Sequence, residues 1–297
     1  MTISPFVFRG STAVVTGAAG GLGRAFATRA GELGMRVMLA DLENEALREV
    51  AEELRDAGVS VDWCAVDVSR PEQVEYLADQ TFARFGVPQL VFNNAGVIGG
   101  GLIWETPDAE WKRVMGVNLG GVIAGVRAFV PAMIEVGRRQ AGWRGHVVNV
   151  ASMAGLLTPP NMGVYNVSKH AVVALTETLH HDLALVNASV GASVLCPFFV
   201  PTGIAGEPDP AHSPSQQAAQ ALTAKAVAGG KVSARDVALL TFDGVAAGRF
   251  YLYSHPQALG QFAARAEAIV AGTRPADPYS GRPELAAQLR QMVHAMG

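Results

Sequence analysis

The chain has 297 residues and a mass of 31.1 kDa, enough to bury a large core without disulfide staples. Hydrophobic residues make up 49% and charged residues 16%, which excludes a disordered, fibrous or rod-like chain. A net charge of -3 lacks the basic footprint of a nucleic-acid binder.

Taken in chain order, the opening segment MTISPFVFRG has neither the basic start nor the long apolar region of a signal peptide. The longest apolar stretch, VGASVLCPFFV, is too short to span a bilayer. Cys64 and Cys196 sit in apolar runs and read as buried free thiols, so the expected compartment is the cytosol, with no membrane partner. A short apolar run at 13–15 precedes a glycine cluster and a helix over 22–33. A second run, 35–41, ends in an acid and leads into an amphipathic helix over 43–56. VSVDWCAVD reads as a strand, Pro71 opens a helix over 71–85, and PQLVFNNAG supplies another buried strand and its turn.

A long helix over 108–135, the strand HVVNV, a second long helix over 164–186 and the strand VGASVLCPF follow. Residues 202–230 read as a proline-bearing loop and a short helix, an insertion beyond a strand's C-terminal end. Ser233 and Asp236 mark a helix start by capping, with the helix running to 247. RFYLYSH, a helix over 256–270 and the helical PELAAQLRQMVHAM complete the chain. Buried strands alternating with helices predict an α/β fold with a doubly wound parallel sheet. With no composition break, one domain over 1–297 is expected, including a lid at 203–228 and an extension at 271–297.

Two groups of residues carry chemistry. In TGAAGGLG, Gly17, Gly21 and Gly23 allow a tight turn, and the following helix start, including Leu22, offers free N–H groups to a pyrophosphate. Asp41 closes the second strand 18 residues after Gly23, where an acid accepts hydrogen bonds from an adenosine ribose and repels a 2′-phosphate. Ala40 and Leu42 beside it offer no arginine, so NAD is the expected cofactor rather than NADP. Asp67 and Val68 are candidates for adenine contacts, Asp67 being equally readable as a turn acid before Ser69 and Pro71. Asn93 and Asn94, with Ala95 and Gly96, end the fourth strand, and the two asparagines are equally readable as turn formers.

At the chemical end, Tyr165 and Lys169 lie four apart in YNVSK, so both can point from one helix face into one cavity. An ammonium beside a phenol favours phenolate, drawing the tyrosine toward a usable proton shuttle. Ser152 follows the strand HVVNV, where its hydroxyl can hold a substrate oxygen. Singly, Tyr165 reads rather as a half-buried aromatic and Ser152 rather as a loop hydroxyl.

Together the glycine turn, NNAG, Asn118 in VNLGG, Ser152 in VASMAG, the YNVSK pair and Pro197 followed by Thr202 resemble the short-chain dehydrogenase/reductase family, over about residues 10–253. The resemblance implies a Rossmann fold with a seven-stranded parallel sheet, helices on both faces, and hydride transfer between the nicotinamide C4 and a carbinol or carbonyl carbon. It assigns a tetrad to Asn118, Ser152, Tyr165 and Lys169. Tyr165 is the acid or base, Ser152 orients the oxygen, and Lys169 binds the nicotinamide ribose and lowers the tyrosine pKa. Asn118 holds a break in the preceding helix and anchors a water leading to Lys169. Pro197, Val200 and Thr202 are expected at the cofactor, although Phe198 and Phe199 stand where such proteins usually have glycine and a following residue. The resemblance also implies a homodimer or homotetramer built on the two long helices, with Gly120, Gly121, Ala124 and Gly125 in one and Ala171, Ala174 and Leu175 in the other.

Met153, Leu156, Leu157, Met162, Phe198 and Phe199 are the expected wall of an apolar substrate site under the lid. The substrate expected is a bulky aromatic, benzylic, terpenoid or alicyclic secondary alcohol or its ketone. The tail with SHP is similar to that of bulky-alcohol members, including bacterial benzylic Cα-dehydrogenases. The alternatives are an NADPH-dependent ketoreductase or 3-oxoacyl-type reductase of the same family, and a non-catalytic nucleotide-binding protein. No metal is expected.

Overall fold

The computed structural model describes residues 6–42, 45–206, 209–279, 281 and 283–294. Seven strands form one parallel sheet: β1 (Thr12–Thr16), β2 (Arg36–Asp41), β3 (Val61–Ala65), β4 (Leu90–Asn93), β5 (Gly145–Val150), β6 (Val190–Cys196) and β7 (Tyr251–Tyr253). The spatial order is β3-β2-β1-β4-β5-β6-β7, so the winding reverses between β1 and β4 and opens a crevice at their C-terminal ends.

Alternation along each strand builds the two layers. Ala13 and Val15 of β1 face a core shared with Phe26 of α1 (Gly21–Glu32), Leu47 of α2 (Glu45–Asp56) and Phe242 of α8 (Ala234–Ala246). Val14, between them, faces the opposite core with Leu77 of α3 (Pro71–Phe85), Phe129 of α5 (Gly121–Arg139) and Leu183 of α6 (Gly163–Leu185). Every residue of β1 and of β5 is buried, as continuous apolar strands covered on both faces require.

Local chemistry sets the helix ends. Pro71 opens α3, and Gly86 ends it at a φ of 77 that favours glycine. Ser233 caps α8, accepting the Asp236 amide at 3.1 Å, while the Asp236 carboxylate accepts the Ser233 amide in return, so the capping pair is complete although the third position is Asp.

The expected helix over 108–135 is three pieces: α4 (Asp108–Met115), a π-helical turn at Gly116–Gly120, and α5, which runs on to Arg139 through Pro131. The break falls at Asn118, where the resemblance puts it. The run Asp108–Arg139 is longer than VGASVLCPFFV and, by length and composition alone, matches a membrane span. In the fold it packs against α3 and the sheet, with Val122, Phe129 and Met133 in the core. In the insertion, a 3-10 turn at Gly203–Ala205 leads to α7 (Pro214–Ala228). The chain then adds α9 (Leu259–Val270) and α10 (Pro283–His294), which packs against α7. Glu43, Asn44, Glu207, Pro208, Ala295 and Met296, each within a segment expected from the sequence, lie outside the described residues.

Candidate active site

A cleft of about 740 Å³ opens at the C-terminal ends of β1, β4, β5 and β6. Its floor is the turn after β1. Gly17 has φ 67 and Gly21 φ 51, both in the left-handed region. A Cβ at Gly17 would stand 2.9 Å from both the Ala95 Cα and the Asn94 Nδ2, so a side chain is excluded by backbone as well as by conformation. The first helical hydrogen bond of α1 is Arg24 N to Gly20 O, so the N–H groups of Gly21 and Leu22 at its start lie ahead of that ladder, on the cleft. Gly23 is not on the wall: it is packed against the Gly17 carbonyl, where any side chain would collide, and its part is to close the turn.

Asp41 sits at the lip. Its carboxylate accepts the Ala19 amide at 2.9 Å and the Leu42 amide at 2.8 Å, which holds both oxygens at the cleft entrance. Asp67 and Val68 also line the cleft, but the Asp67 carboxylate accepts the Ser69 amide and hydroxyl, the turn role that the sequence allowed. Asn94 is a clasp between strand ends: its amide nitrogen donates to the carbonyls of Thr16 and Gly17. Asn93 is buried and donates to Asn149, which donates to Thr176 of α6. Thr16, Asn149 and Thr176 were not singled out in the sequence, because each acts on a strand or helix remote in the chain.

At the inner end, Ser152, Tyr165 and Lys169 converge on the same cleft. Ser152 caps the 3-10 turn Met153–Gly155, accepting the Ala154 amide at 3.1 Å and donating to the Pro197 carbonyl at 3.4 Å. Tyr165 and Lys169 are 7% and 3% exposed, one turn apart in α6. The Lys169 ammonium donates to the Val150 carbonyl at 3.0 Å and lies 5.7 Å from the centroid of the Tyr165 ring. Burial pushes Lys169 down to about 8.

The expectation that Lys169 lowers the tyrosine is corrected here. Burial of the phenol raises Tyr165 above its ordinary value, and the Ser152 hydroxyl, not the lysine, is the group that opposes the rise. Desolvating a phenolate dominates, and the ammonium is held over the ring by Val150.

Asn118 is fully buried behind the wall. Its side chain accepts the Val97 amide at 2.8 Å and donates to the Val97 carbonyl and the Ser168 hydroxyl, so its amide is committed to the loop after β4. It touches the site through Gly96, where a Cβ would meet Asn118 Oδ1 and Lys169 Nζ at 3.4 Å each. It is a positioning residue in this arrangement.

The substrate end differs from expectation at two residues. Leu157, Met162, Phe198 and Phe199 line the cleft, but Met153 and Leu156 do not. The Met153 amide donates to the Pro197 carbonyl and the Leu156 amide to the Met153 carbonyl, a turn that directs both side chains into the core with Val172 and Val194. Thr223 and Val227 of α7 complete the wall, and Ala95, Gly96, Pro197, Val200 and Thr202 lie on it as expected. Asn94 shares that wall. The helix α7 is docked: Ser215 donates to the Glu105 carboxylate at 2.9 Å and accepts the Leu102 amide at 3.3 Å, while Asn161 donates to the Ser215 carbonyl.

Comparison with known proteins agrees with this geometry. The family model for the short chain dehydrogenase matches residues 11–212. The chain is 38% identical over 250 residues to the 1-deoxy-11-beta-hydroxypentalenate dehydrogenase of Streptomyces exfoliatus, covering 83% of each protein. It is 31% identical over 262 residues to a CLA biosynthesis dehydrogenase/reductase of Lactiplantibacillus plantarum, covering 84% of this chain and 90% of that protein. Among solved structures it is similar to a short chain dehydrogenase/reductase from Burkholderia phymatum in complex with NAD, with a TM-score of 0.88, 48% identity and coverage of 93% and 99%. LigD from Sphingobium sp. strain SYK-6, in its apo form, is 28% identical with a TM-score of 0.73, over 91% of this chain and 100% of that one. On the doubly wound sheet, the glycine turn and the convergent Ser152, Tyr165 and Lys169, matched over more than half its length, the chain belongs to the short-chain dehydrogenase family.

Proposed function

We propose that the protein is an NAD(H)-dependent oxidoreductase that interconverts a bulky, apolar secondary alcohol and its ketone. The observation that carries this reading is the single cleft that runs from the Asp41 carboxylate, past the glycine turn, to Tyr165 and Ser152.

The residues present fit NAD. Gly17 leaves room where a Cβ would collide with Ala95 and Asn94, the start of α1 faces the cleft, and Asp41 offers an acceptor carboxylate at its lip. Arg24, the cation nearest in sequence to the glycine turn, is bound to Glu53 at 2.6 Å rather than standing beside Asp41. The similar Burkholderia protein holds NAD. When bound, the nicotinamide supplies a hydride acceptor or donor.

Ser152 holds the substrate oxygen, and Tyr165 takes its proton in oxidation or returns it in reduction. Lys169 stands beside the tyrosine with its pKa brought down to about 8 by burial, so that it can share in proton movement, and binds ribose hydroxyls. Leu157, Met162, Phe198, Phe199 and Val227 make the substrate wall apolar, and Thr223 is the one polar side chain that α7 adds. An apolar wall leaves the hydroxyls of a sugar unpaired and suits an aromatic or alicyclic skeleton. The Streptomyces relative is named for dehydrogenating a hydroxypentalenate, in keeping with this class. Residues 203–228 act as a lid in one domain spanning 1–297, and the protein assembles as a homodimer or homotetramer. Two buried free cysteines suit the reducing cytosol.

The reading is tested by NADH formation on a panel of secondary alcohols, from 2-propanol to aromatic and alicyclic examples. Oxidation of the bulky members with NAD is expected.

A further inference from the structure

Ser254 and His255 follow β7 directly, each 8% exposed, and neither lines the cleft. The Ser254 oxygen accepts the Phe198 amide at 3.1 Å and lies 2.8 Å from the His255 Nδ1. The Phe198 amide belongs to the peptide whose other end is the Pro197 carbonyl. That carbonyl accepts the Met153 amide at 2.8 Å and the Ser152 hydroxyl at 3.4 Å.

We propose that Ser254 and His255 are a positioning pair for Ser152, acting through the peptide between Pro197 and Phe198. The inference rests on the assignment of Ser152 to the substrate oxygen. A peptide is planar and rigid, so fixing the direction of its N–H fixes the direction of its carbonyl. Ser254 holds the N–H end from the β7 side, and the carbonyl end is one acceptor facing the Ser152 hydroxyl, the Tyr165 oxygen being the other. At 3.4 Å the carbonyl contact is longer than an ordinary O–H···O hydrogen bond, so the carbonyl orients the hydroxyl without locking it, and the hydroxyl can turn to a substrate oxygen.

The proton count supports the direction. The Ser254 oxygen accepts the Phe198 amide, and among the described residues His255 Nδ1 is the acceptor within reach of its one hydroxyl proton, so that proton is assigned to Nδ1 and His255 carries its own on Nε2. Burial lowers the His255 pKa, which favours the neutral imidazole that can accept there. Chained hydrogen bonds polarise one another, so the His255 to Ser254 to peptide sequence strengthens the Pro197 carbonyl as an acceptor.

The peptide also carries a steric load that makes a clamp useful. The Phe198 and Phe199 rings are 4.2 Å apart by centroid and both face the cleft. Movement of either on substrate entry pulls on the backbone that aims Ser152. The edge contact of Phe198 with the His255 ring, at 5.8 Å and 72°, ties the side chain to the same clamp.

The test is a double-mutant cycle between Ser254 and Ser152 in the whole enzyme, read as kcat, KM for both substrates and the Kd of NADH. Ser254→Ala should lower kcat about tenfold with KM for NAD and Kd of NADH within about twofold, and Ser254→Thr, which keeps the hydroxyl, should recover most of it. In a Ser152→Ala background, Ser254→Ala should cost nothing further, because the group it aims is gone. Should Ser254→Ala fail to fold, His255→Phe removes the Nδ1 acceptor while keeping a ring against Phe198, and should show a smaller kcat loss that also vanishes in that background. Losses that add between the two serines, or a Ser254→Ala enzyme with undiminished kcat, would overturn the positioning role while leaving the reaction intact. A Ser152→Ala enzyme with full turnover would overturn the role of Ser152 as well.

Discussion

The Asp41 carboxylate closes the glycine turn from the neighbouring strand, accepting the amide of Ala19, a residue 22 positions earlier in the chain, at 2.9 Å. One acid therefore shapes the turn after β1 and stands at the mouth of the cleft where a ribose is expected. Asp41→Ala should weaken NADH binding by about tenfold or more, the worth of a charge-assisted hydrogen bond, and should leave NADPH binding unchanged or improved. Fluorescence titration with both nucleotides checks this; equal weakening of the two would assign Asp41 to the turn alone.

Tyr165→Phe keeps the ring in its packed site and removes only the hydroxyl. Turnover should fall by at least about 100-fold with the Kd of NADH nearly unchanged. Retained turnover under conditions where chemistry limits the rate would give the proton to another group.

Lys169 predicts a pH dependence of stability. Its pKa falls from the ordinary 10.5 to about 8 on folding, so between these values the unfolded chain binds more protons and stability should rise with pH. The cost of burying the charge is present below about pH 8 and relieved toward pH 10.5. Tyr165, raised by burial, acts in the opposite sense only near and above its ordinary value of 10.0. Urea unfolding of the cofactor-free protein from pH 7 to 9.5 should show wild-type gaining stability relative to Lys169→Met across that range. A constant difference would mean that the ammonium is solvated in the native state.

The roof helix offers a further check. Ser215 joins α7 to Glu105 and Leu102, so Ser215→Ala should raise amide exchange over 214–228 and increase KM for bulky alcohols severalfold, an effect of about 1 kcal/mol. Protection in this helix should grow further in a ternary complex. Exchange and KM that are unaltered by the substitution would show that the Asn161 bond, α10 and the apolar contacts hold the helix without the Ser215 hydroxyl.

For assembly, Ile123 of α5 and Val167 of α6 are apolar and exposed at 38% and 42%. Replacing both with Glu should release a protein of 31.1 kDa in light scattering from a larger wild-type particle. A wild-type mass of 31.1 kDa would contradict the pairing of these helices.

The alternation of strands and helices was legible in the sequence because its signals are local: apolar runs, Pro71 at a helix start and the Ser233 cap all act within a few residues. Tyr165 and Lys169 were legible for the same reason, one helical turn apart. What the pattern does not carry is the order of the strands. The clasp of Asn94 on Thr16, the Asn93 to Asn149 bond and the Ser254 hold on Phe198 join residues 78, 56 and 56 positions apart, and each exists only because two strand ends become neighbours. Met153 and Leu156 were placed on the substrate wall by their position after β5, but the direction of a side chain in a one-turn 3-10 segment follows from its hydrogen bonds to Pro197 and Met153, which spacing does not show. The lysine effect on Tyr165 failed on a similar ground, since spacing brings the two together without telling how deeply both are buried.

The most direct measurement is steady-state oxidation of one bulky secondary alcohol, aromatic or alicyclic, with NAD and NADP compared side by side and 2-propanol as the small control. The account predicts kcat/KM for NAD at least about tenfold above that for NADP, a difference of about 1.4 kcal/mol, and a bulky alcohol preferred over 2-propanol. Preference for NADP, or oxidation of 2-propanol as efficient as that of the bulky alcohol, would contradict it.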